Sequence, residues 1–193
     1  SADASWHGTY NSLGVRQTEQ QTQANWSYFG MAREGEEVTG FDYDGSFSFD
    51  QAKVLARALE DADKFAVKLL QQLKPRQCPS YRGPVLLTPR AVQEILLGMV
   101  LYHAGGRQVM DGKSRWQEHV GKGVVSDKLT LFDQPHDRRF AGATSFDGDG
   151  VPTKPTSIVD KGVLTLHLHD VYSARRTKQK TTGSLLVISA PVC

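Results

Sequence analysis

Two histidines in the last third of the chain have the spacing of metal ligands. His167 and His169 are two residues apart in a segment predicted as a strand, so both imidazoles are expected on one face. Zinc sites use such a spacing, but they need about three protein ligands. The nearest acidic residue, Asp170, falls on the opposite face of a strand. We therefore expect surface or interface histidines, with a metal site as the alternative.

Two aspartates nearby resemble the start of a calcium loop. Asp147 and Asp149 stand in a DGDG sequence, but Val151 and Pro152 follow where further oxygen ligands should come. A glycine-rich turn is the prediction for this segment. The phosphate-binding loop, the dinucleotide-binding fingerprint and the serine-hydrolase elbow are all absent from the sequence.

The one local concentration of positive charge is formed by Arg175, Arg176, Lys178 and Lys180. The chain as a whole has 23 basic and 21 acidic side chains and a net charge of +2. This balance predicts no polyanionic partner and no direct nucleic-acid binding. We expect the cluster to be a solvated loop or strand edge, with phosphate binding as the alternative.

Length and composition predict a folded cytoplasmic protein. A chain of 193 residues can form one large or two small globular units, and no apolar run approaches the length of a membrane helix. No leader segment opens the chain. Cys78 and Cys193 lack a CxxC spacing, which favours free thiols in a reducing compartment. Ser1 in place of Met and the apolar run before Cys193 suggest a fragment of a longer protein.

The pattern of residues predicts the α+β class, with antiparallel sheets in its first part. Aromatic and β-branched residues, with turns at Asn11–Gly14 and Gly35–Glu37, predict a meander over the first fifty residues. Apolar residues at helical spacing then predict a main helix over about 50–74, which starts at Asp50 and ends before Pro75.

A second main helix is predicted over about 89–104. Thr88 and Pro89 suit its first positions, and Gly105 and Gly106 end it. Because this helix is apolar nearly all round, we expect it to be buried. A C-terminal β-hairpin is predicted from two extended runs around Asp160-Lys161-Gly162. Strands are expected at 84–87, from Leu129, at 155–159, at 163–168 and over 184–192.

An ordered series of motifs runs from Phe146 to Gly183, FDGDGVPTKPTSIVDKGVLTLHLHDVYSARRTKQKTTG. A DxxGxP turn, a strand, a Lys-Gly turn, a second strand, a YSAR element and a Thr-Gly dipeptide follow one another. This order resembles the TldD/PmbA family. The segment DGKSRWQEHVGKGVVSDKLTLFDQP, the early NSLG turn and the FDYDGS stretch resemble the same family, so the resemblance covers essentially the whole chain.

The resemblance implies an interior slice of a larger protein. Residues 1–83 would form the end of the family's N-terminal and middle region, a β-meander plus a helix. Residues 84–193 would form the start of its C-terminal domain, truncated at Cys193.

The resemblance also indicates which half of the family this chain is similar to. In the TldD half, a helix carries HExxxH, whose histidines bind zinc and whose glutamate activates water. In the matching helix here, Gly98 stands at the position of the first histidine and Met99 at that of the glutamate. His103 is the one remaining weak metal candidate in this helix. The chain thus resembles the PmbA/TldE half, and zinc is expected in a TldD-like partner rather than here.

The function implied is that of a subunit without catalytic residues of its own, in a cytoplasmic metallopeptidase that cleaves unfolded peptides. It would pair with a TldD-like subunit or form a homodimer. Val163, Thr165 and Arg175 are the candidates for peptide binding or assembly, because extended segments can hold a peptide backbone. Two alternatives are a self-sufficient metallopeptidase that uses His103, His167 or His169 with ligands elsewhere, and a non-enzymatic regulator of DNA gyrase.

Overall fold

The computed structural model describes residues 2–140 and 142–184, which form two compact units. Unit 1 contains residues 2–5 and 21–88, and unit 2 contains residues 6–20, 89–140 and 142–184. The described residues combine helices with antiparallel sheets, which confirms the α+β class. Within these residues, no helix is both long and apolar enough to span a membrane.

The first fifty residues form the predicted meander. The strands β1 (Ala2–Tyr10), β2 (Arg16–Gly30) and β5 (Asp42–Ser48) lie side by side in this order, and β3 (Arg33–Glu34) with β4 (Glu37–Val38) makes a small hairpin. The Asn11 side chain closes the turn between β1 and β2, because its Oδ1 accepts hydrogen bonds from the backbone N–H groups of Leu13 and Val15. β2 and β5 are antiparallel.

The first main helix, α1 (Gln51–Gln71), packs on this sheet in unit 1. Asp50 is its N-cap, as predicted, with its carboxylate 3.1 Å from the backbone N–H of Ala52. The core of the unit contains Ala24, Val54, Phe65 and Leu69.

Residues 84–87 are not a strand, so this prediction was wrong. They have no ladder partner among the described residues, and the Leu86 side chain is 98% exposed. An apolar β-branched run favours an extended backbone, but a strand also requires a neighbour for its hydrogen bonds. Cys78 in the same unit is an exposed free thiol, as expected. Cys193 and the predicted strand beyond Ser184 lie outside the described residues.

The second main helix has the predicted length but is not buried. It runs as α2 (Pro89–Ala91), a π-helical segment (Val92–Leu97) and α3 (Gly98–Ala104) without interruption. Val100 and Ala104 are buried, whereas Ile95 and Met99 are 53% and 57% exposed. The burial prediction was wrong because only one side of this helix faces a packed element of unit 2.

That packed element is a three-stranded sheet in the order β6 (Leu131–Asp133), β7 (Thr156–Asp160) and β8 (Val163–Leu164). The predicted hairpin is confirmed: both turn residues, Lys161 and Gly162, have positive φ, as a two-residue turn of this hand requires. Its second strand ends at Leu164 rather than Leu168. The core between helix and sheet contains Val100, Ala104, Ile158, Val159, Leu164 and Leu168.

Two short helices complete unit 2. α4 (Gly106–Met110) begins directly after Gly105, and α5 (Val171–Thr177) contains the YSAR element, which we expected to be extended. Two backbone hydrogen bonds join the junction of α3 and α4 to the segment before α5. Gly106 N–H donates to Leu168 O at 2.7 Å, and Leu168 N–H donates to Ala104 O at 2.8 Å. The segment before α5 is therefore fixed to the end of α3.

Candidate functional site

An open pocket with a volume of about 1290 Å³ lies in unit 2. Four parts of the chain line it: the end of α4, the loop 117–120, the segment 166–169 and the end of α5 with the residues that follow. Its lining residues are Val109, Met110, Gln117, Glu118, Val120, Leu166, His167, His169, Thr182 and the six residues from Arg175 to Lys180. Apolar side chains and cations thus line one concave surface.

The positive charge of the pocket is set by the short helix α5. Asp170 is its N-cap, with Oδ1 accepting a hydrogen bond of 2.7 Å from Ser173 N–H. Arg175 and Arg176 lie in its last turn, where cations suit the helix dipole. Lys178 ends it in the left-handed conformation, at φ 56°. Because α5 has only 7 residues, the N-cap at Asp170 also determines the positions of the cations at its other end.

The four cations are exposed, as predicted, and they also line the pocket. The predicted loop or strand edge was wrong for Arg175 and Arg176, because both lie in the helix α5. In the described part of the chain, no carboxylate forms an ion pair with Arg175, Arg176, Lys178 or Lys180. Glu118 is the one acidic side chain among the described residues that line the pocket. The local charge is therefore positive although the chain is nearly neutral.

His169 forms a rigid part of the pocket wall. Its side chain is 5% exposed, and its Nδ1 lies 3.2 Å from Ser173 Oγ. Its backbone carbonyl accepts hydrogen bonds from Thr182 N–H at 2.9 Å and from the Thr181 hydroxyl at 3.0 Å. Burial lowers the pKa of His169 below 6.5, the nearby His167 adds to the effect, and the Asp170 carboxylate opposes it. His169 is accordingly neutral at pH 7.

The two histidines of the metal hypothesis do not converge on a common point. Their rings are 6.3 Å apart and nearly perpendicular. His167 Nε2 lies 3.0 Å from the Trp116 carbonyl, while His169 bonds to Ser173. Over residues 2–140 and 142–184, no group of three or more His, Cys, Asp or Glu side chains is arranged to hold a metal ion.

His103, the weak metal candidate, lies outside the pocket. Its Nδ1 accepts a hydrogen bond of 3.3 Å from Arg115 N–H, so the neutral imidazole carries its proton on Nε2. Neither nitrogen then presents a free lone pair. Nothing lies within 4 Å of a Cβ built at Gly98, and Met99 is mostly exposed. The residues of this helix therefore do not fit the zinc ion that the family resemblance implies.

The three candidates for peptide binding or assembly lie in two places. Arg175 lines the pocket, whereas Val163 and Thr165 do not. The Thr165 hydroxyl donates to the Ser157 carbonyl, and Val163 is paired with Asp160 across the hairpin.

The outer edge of β8 beside them is already occupied by the loop 121–125. Gly121 N–H donates to Leu164 O at 2.8 Å, and Leu164 N–H donates to Lys122 O at 3.1 Å. A peptide strand added at this edge would have to displace that loop.

The DGDG segment is the predicted glycine-rich turn. Asp147 Oδ1 accepts hydrogen bonds from the backbone of Asp149 and Val151, and Asp149 Oδ2 accepts one from Val171 N–H at 3.0 Å. Both carboxylates thus accept hydrogen bonds from backbone N–H groups, and the Asp149 carboxylate stabilises the start of α5.

Sequence reasoning missed the part of the pocket that comes from α4 and from the loop 117–120. Val109 and Met110 come from α4, an unexpected helix, and Gln117 and Glu118 come from a loop that follows no periodic pattern. The adjacent glycines Gly105 and Gly106 could have predicted α4, since a glycine after a helix end can start another helix as well as stop one.

Comparisons with known proteins agree with this architecture. Residues 80–191 match the sequence profile of the family described as the PmbA/TldA metallopeptidase C-terminal domain. A relative from Escherichia coli O157:H7, named metalloprotease PmbA, is 30% identical over 146 residues, which is 72% of this chain and 32% of the relative. The chain spans about a third of the length of the curated relatives it matches.

Solved structures share the fold. A protein from Bacteroides thetaiotaomicron, whose name proposes it as a modulator of DNA gyrase, matches with a TM-score of 0.70 and 26% identity over 94% of this chain and 40% of its own. TldE from Thermococcus kodakarensis matches with a TM-score of 0.68 over 100% of this chain and 44% of its own. At 20% identity, the second likeness concerns the fold alone.

Proposed function

This chain belongs to the PmbA/TldD metallopeptidase family, and from that premise we propose that it acts as a PmbA/TldE-like subunit without a zinc site of its own. It would pair in the cytoplasm with a TldD-like subunit, or with a second copy, and help to hold an unfolded peptide. Zinc and the chemistry of cleavage would then belong to the TldD-like subunit.

One observation carries this proposal: the hydrogen bond from Arg115 N–H to His103 Nδ1. It engages the one histidine that remains of the HExxxH pattern. The two other positions, Gly98 and Met99, supply neither a ligand nor a general base. A zinc peptidase needs both, so the helix supports a role in binding rather than in cleavage.

We assign the peptide-binding part of this role to unit 2. Arg175 would contact the peptide from the pocket, and Val163 and Thr165 would support the hairpin that positions the pocket wall. Residues 1–83 and 84–193 would belong to different regions of the full-length protein, with the second in the C-terminal domain. The start of the family match at residue 80 supports this division.

Metal analysis of the full-length protein tests the proposal. The protein purified alone should hold no stoichiometric zinc, and zinc should appear after co-purification with a TldD-like subunit. Stoichiometric zinc in the lone protein that is lost in His103→Ala, but kept in the control variant His119→Ala, would establish the self-sufficient metallopeptidase instead.

Peptide cleavage by the reconstituted pair tests the binding role. Arg175→Ala should slow cleavage of an unfolded peptide while the zinc content stays the same. If Val163→Ala, Thr165→Ala and Arg175→Ala all leave assembly and cleavage unchanged, the assignment to unit 2 fails. A change in DNA supercoiling by purified gyrase, caused by the lone protein, would favour the regulatory alternative.

A further inference from the structure

We propose that the pocket of unit 2 selects acidic, unstructured peptide segments. The inference rests on the proposed function, because it names the class of peptide that a peptide-holding subunit would bind. Three features of the described lining favour this ligand: four cations against one carboxylate, a volume that suits several residues of an extended chain, and apolar side chains without Phe, Tyr or Trp.

The cations around the pocket favour an anionic ligand. Within the described residues, Arg175, Arg176, Lys178 and Lys180 line it without a carboxylate partner of their own. Such a set of like charges on a concave surface raises the local concentration of anionic ligands and speeds their association. Glu118, which also lines the pocket, would repel an acidic side chain near it, so the acidic side chains of the ligand would lie near the cations instead.

The size of the pocket favours a peptide over a small anion. Sites for small molecules have volumes of roughly 300–1000 Å³. The pocket here, at about 1290 Å³ and open to solvent, exceeds that range and suits several residues of an extended chain. Inorganic phosphate would fill a small part of it.

The composition of the floor separates a peptide from a nucleic acid. Val109, Met110, Val120 and Leu166 line the pocket and can receive apolar side chains, and Gln117 and Gln179 can hydrogen-bond a peptide backbone. Proteins that bind single-stranded nucleic acids use aromatic side chains on which bases stack. Over residues 2–140 and 142–184, no Phe, Tyr or Trp lines the pocket. A peptide with mixed acidic and apolar residues matches the surface better.

Lys178 provides a test that separates binding from folding. It occupies a left-handed position at a helix end that glycine prefers, so Lys178→Gly removes a cation and also relieves backbone strain. Lys161 has the same left-handed backbone, at φ 43°, in the hairpin turn and outside the pocket. Lys161→Gly is therefore a matched control for both the lost charge and the relieved strain.

The experiment measures fluorescence anisotropy of a labelled Glu-Leu-Ser repeat peptide with the full-length protein alone. Versions with Gln or Lys in place of Glu are measured in parallel. The Glu peptide should bind at least about tenfold more tightly than the Gln peptide. Its affinity should fall as the salt concentration rises from about 0.05 to 0.5 M, because the Debye length shortens.

The variants sharpen this result. Arg175→Glu with Arg176→Glu should weaken binding by about tenfold or more. Lys178→Gly should weaken it by about two- to fivefold while Tm rises by roughly 1 °C, and Lys161→Gly should raise Tm without changing affinity. Equal affinity for the Glu and Gln peptides would overturn the inference. So would a single-stranded oligonucleotide that displaces the Glu peptide at lower concentration than unlabelled Glu peptide does.

These outcomes are independent of the test of the proposed function. Peptide binding is measured with the protein alone and needs neither zinc nor cleavage. Failure of acidic selectivity in a zinc-free protein would leave the subunit role intact, whereas zinc in the lone protein would contradict that role whatever the peptide result.

Discussion

The imidazole of His169 lies directly against the backbone of Gly106, so closely that a Cβ on residue 106 would stand 2.3 Å from His169 Nδ1. Gly106 starts α4, and His169 precedes the N-cap of α5. The glycine therefore allows two helix starts to meet at the wall of the pocket. Any side chain at residue 106 would have to displace the His169 ring.

Gly106→Ala should destabilise the protein. The new methyl group would push a buried ring that Ser173 and the backbone hold in place, at a cost of about 1–3 kcal/mol. Denaturant unfolding would measure the loss. Gly98→Ala is the matched control: it adds a methyl group in open space within a helix and should stabilise by up to about 1 kcal/mol. Equal effects of the two variants would contradict the close contact.

The stability of the protein should depend on the ionisation of His169. Burial lowers its folded pKa below 6.5, so under acidic conditions the unfolded chain binds a proton that the folded protein does not. The free energy of unfolding should therefore fall as the pH drops below 6.5 toward the lower folded pKa, and should be independent of this group above 6.5. His169→Gln should make the slope in that interval shallower. An identical slope in both proteins would refute the assignment.

Asp170 should contribute more to the free energy of unfolding than the exposed N-cap Asp50 does. Burial raises the pKa of this 5% exposed carboxyl, but hydrogen bonds from Ser173 and Arg107 outweigh that effect and lower it. Asp170→Ala should cost about 1–2 kcal/mol and speed hydrogen exchange in α5. Asp50→Ala, at the exposed N-cap of α1, is the comparison and should cost less. A larger loss at Asp50 would show that the buried partners add nothing.

Unit 1 should lose stability in strong acid through Asp42. A hydrogen bond from Lys68 lowers the pKa of Asp42 from 3.8 to about 2, and Gln72 assists against the effect of burial. The stabilisation is present above pH 3.8 and is lost as the pH falls through about 2. Asp42→Asn should cost about 1 kcal/mol at pH 7 and weaken the acid dependence. Glu60→Gln, on the exposed face of α1, should leave acid unfolding nearly unchanged.

Local sequence signals predicted much of the fold. The Asn11–Gly14 turn, the Asp50 cap, the length of both main helices and the Lys161-Gly162 hairpin all depend on a few neighbouring residues, and the structure contains each of them. The failed predictions depend on partners. A strand at 84–87 needed a neighbouring strand, and burial of the second helix needed packing on all its sides.

The site was harder to predict than the fold because its walls are far apart in sequence. The cluster from Arg175 to Lys180 has a visible charge, but the apolar residues of the pocket come from α4, Val120 and Leu166. No periodicity links these segments. The hydrogen bonds between residues 104–106 and Leu168 bring them together, and such long-range pairing leaves no trace in composition or spacing.

The long strand β2 contributes residues to both units. Its first five residues count with unit 2, where the Glu19 carboxylate accepts hydrogen bonds from Thr144 and from Ser145, while the rest counts with unit 1. The family match, in contrast, begins at residue 80. An exchange of only the matched region between two relatives would therefore separate Thr144 and Ser145 from the glutamate that accepts their hydrogen bonds. A chimera keeps these bonds only if the hairpin of β1 and β2 is exchanged together with the matched region.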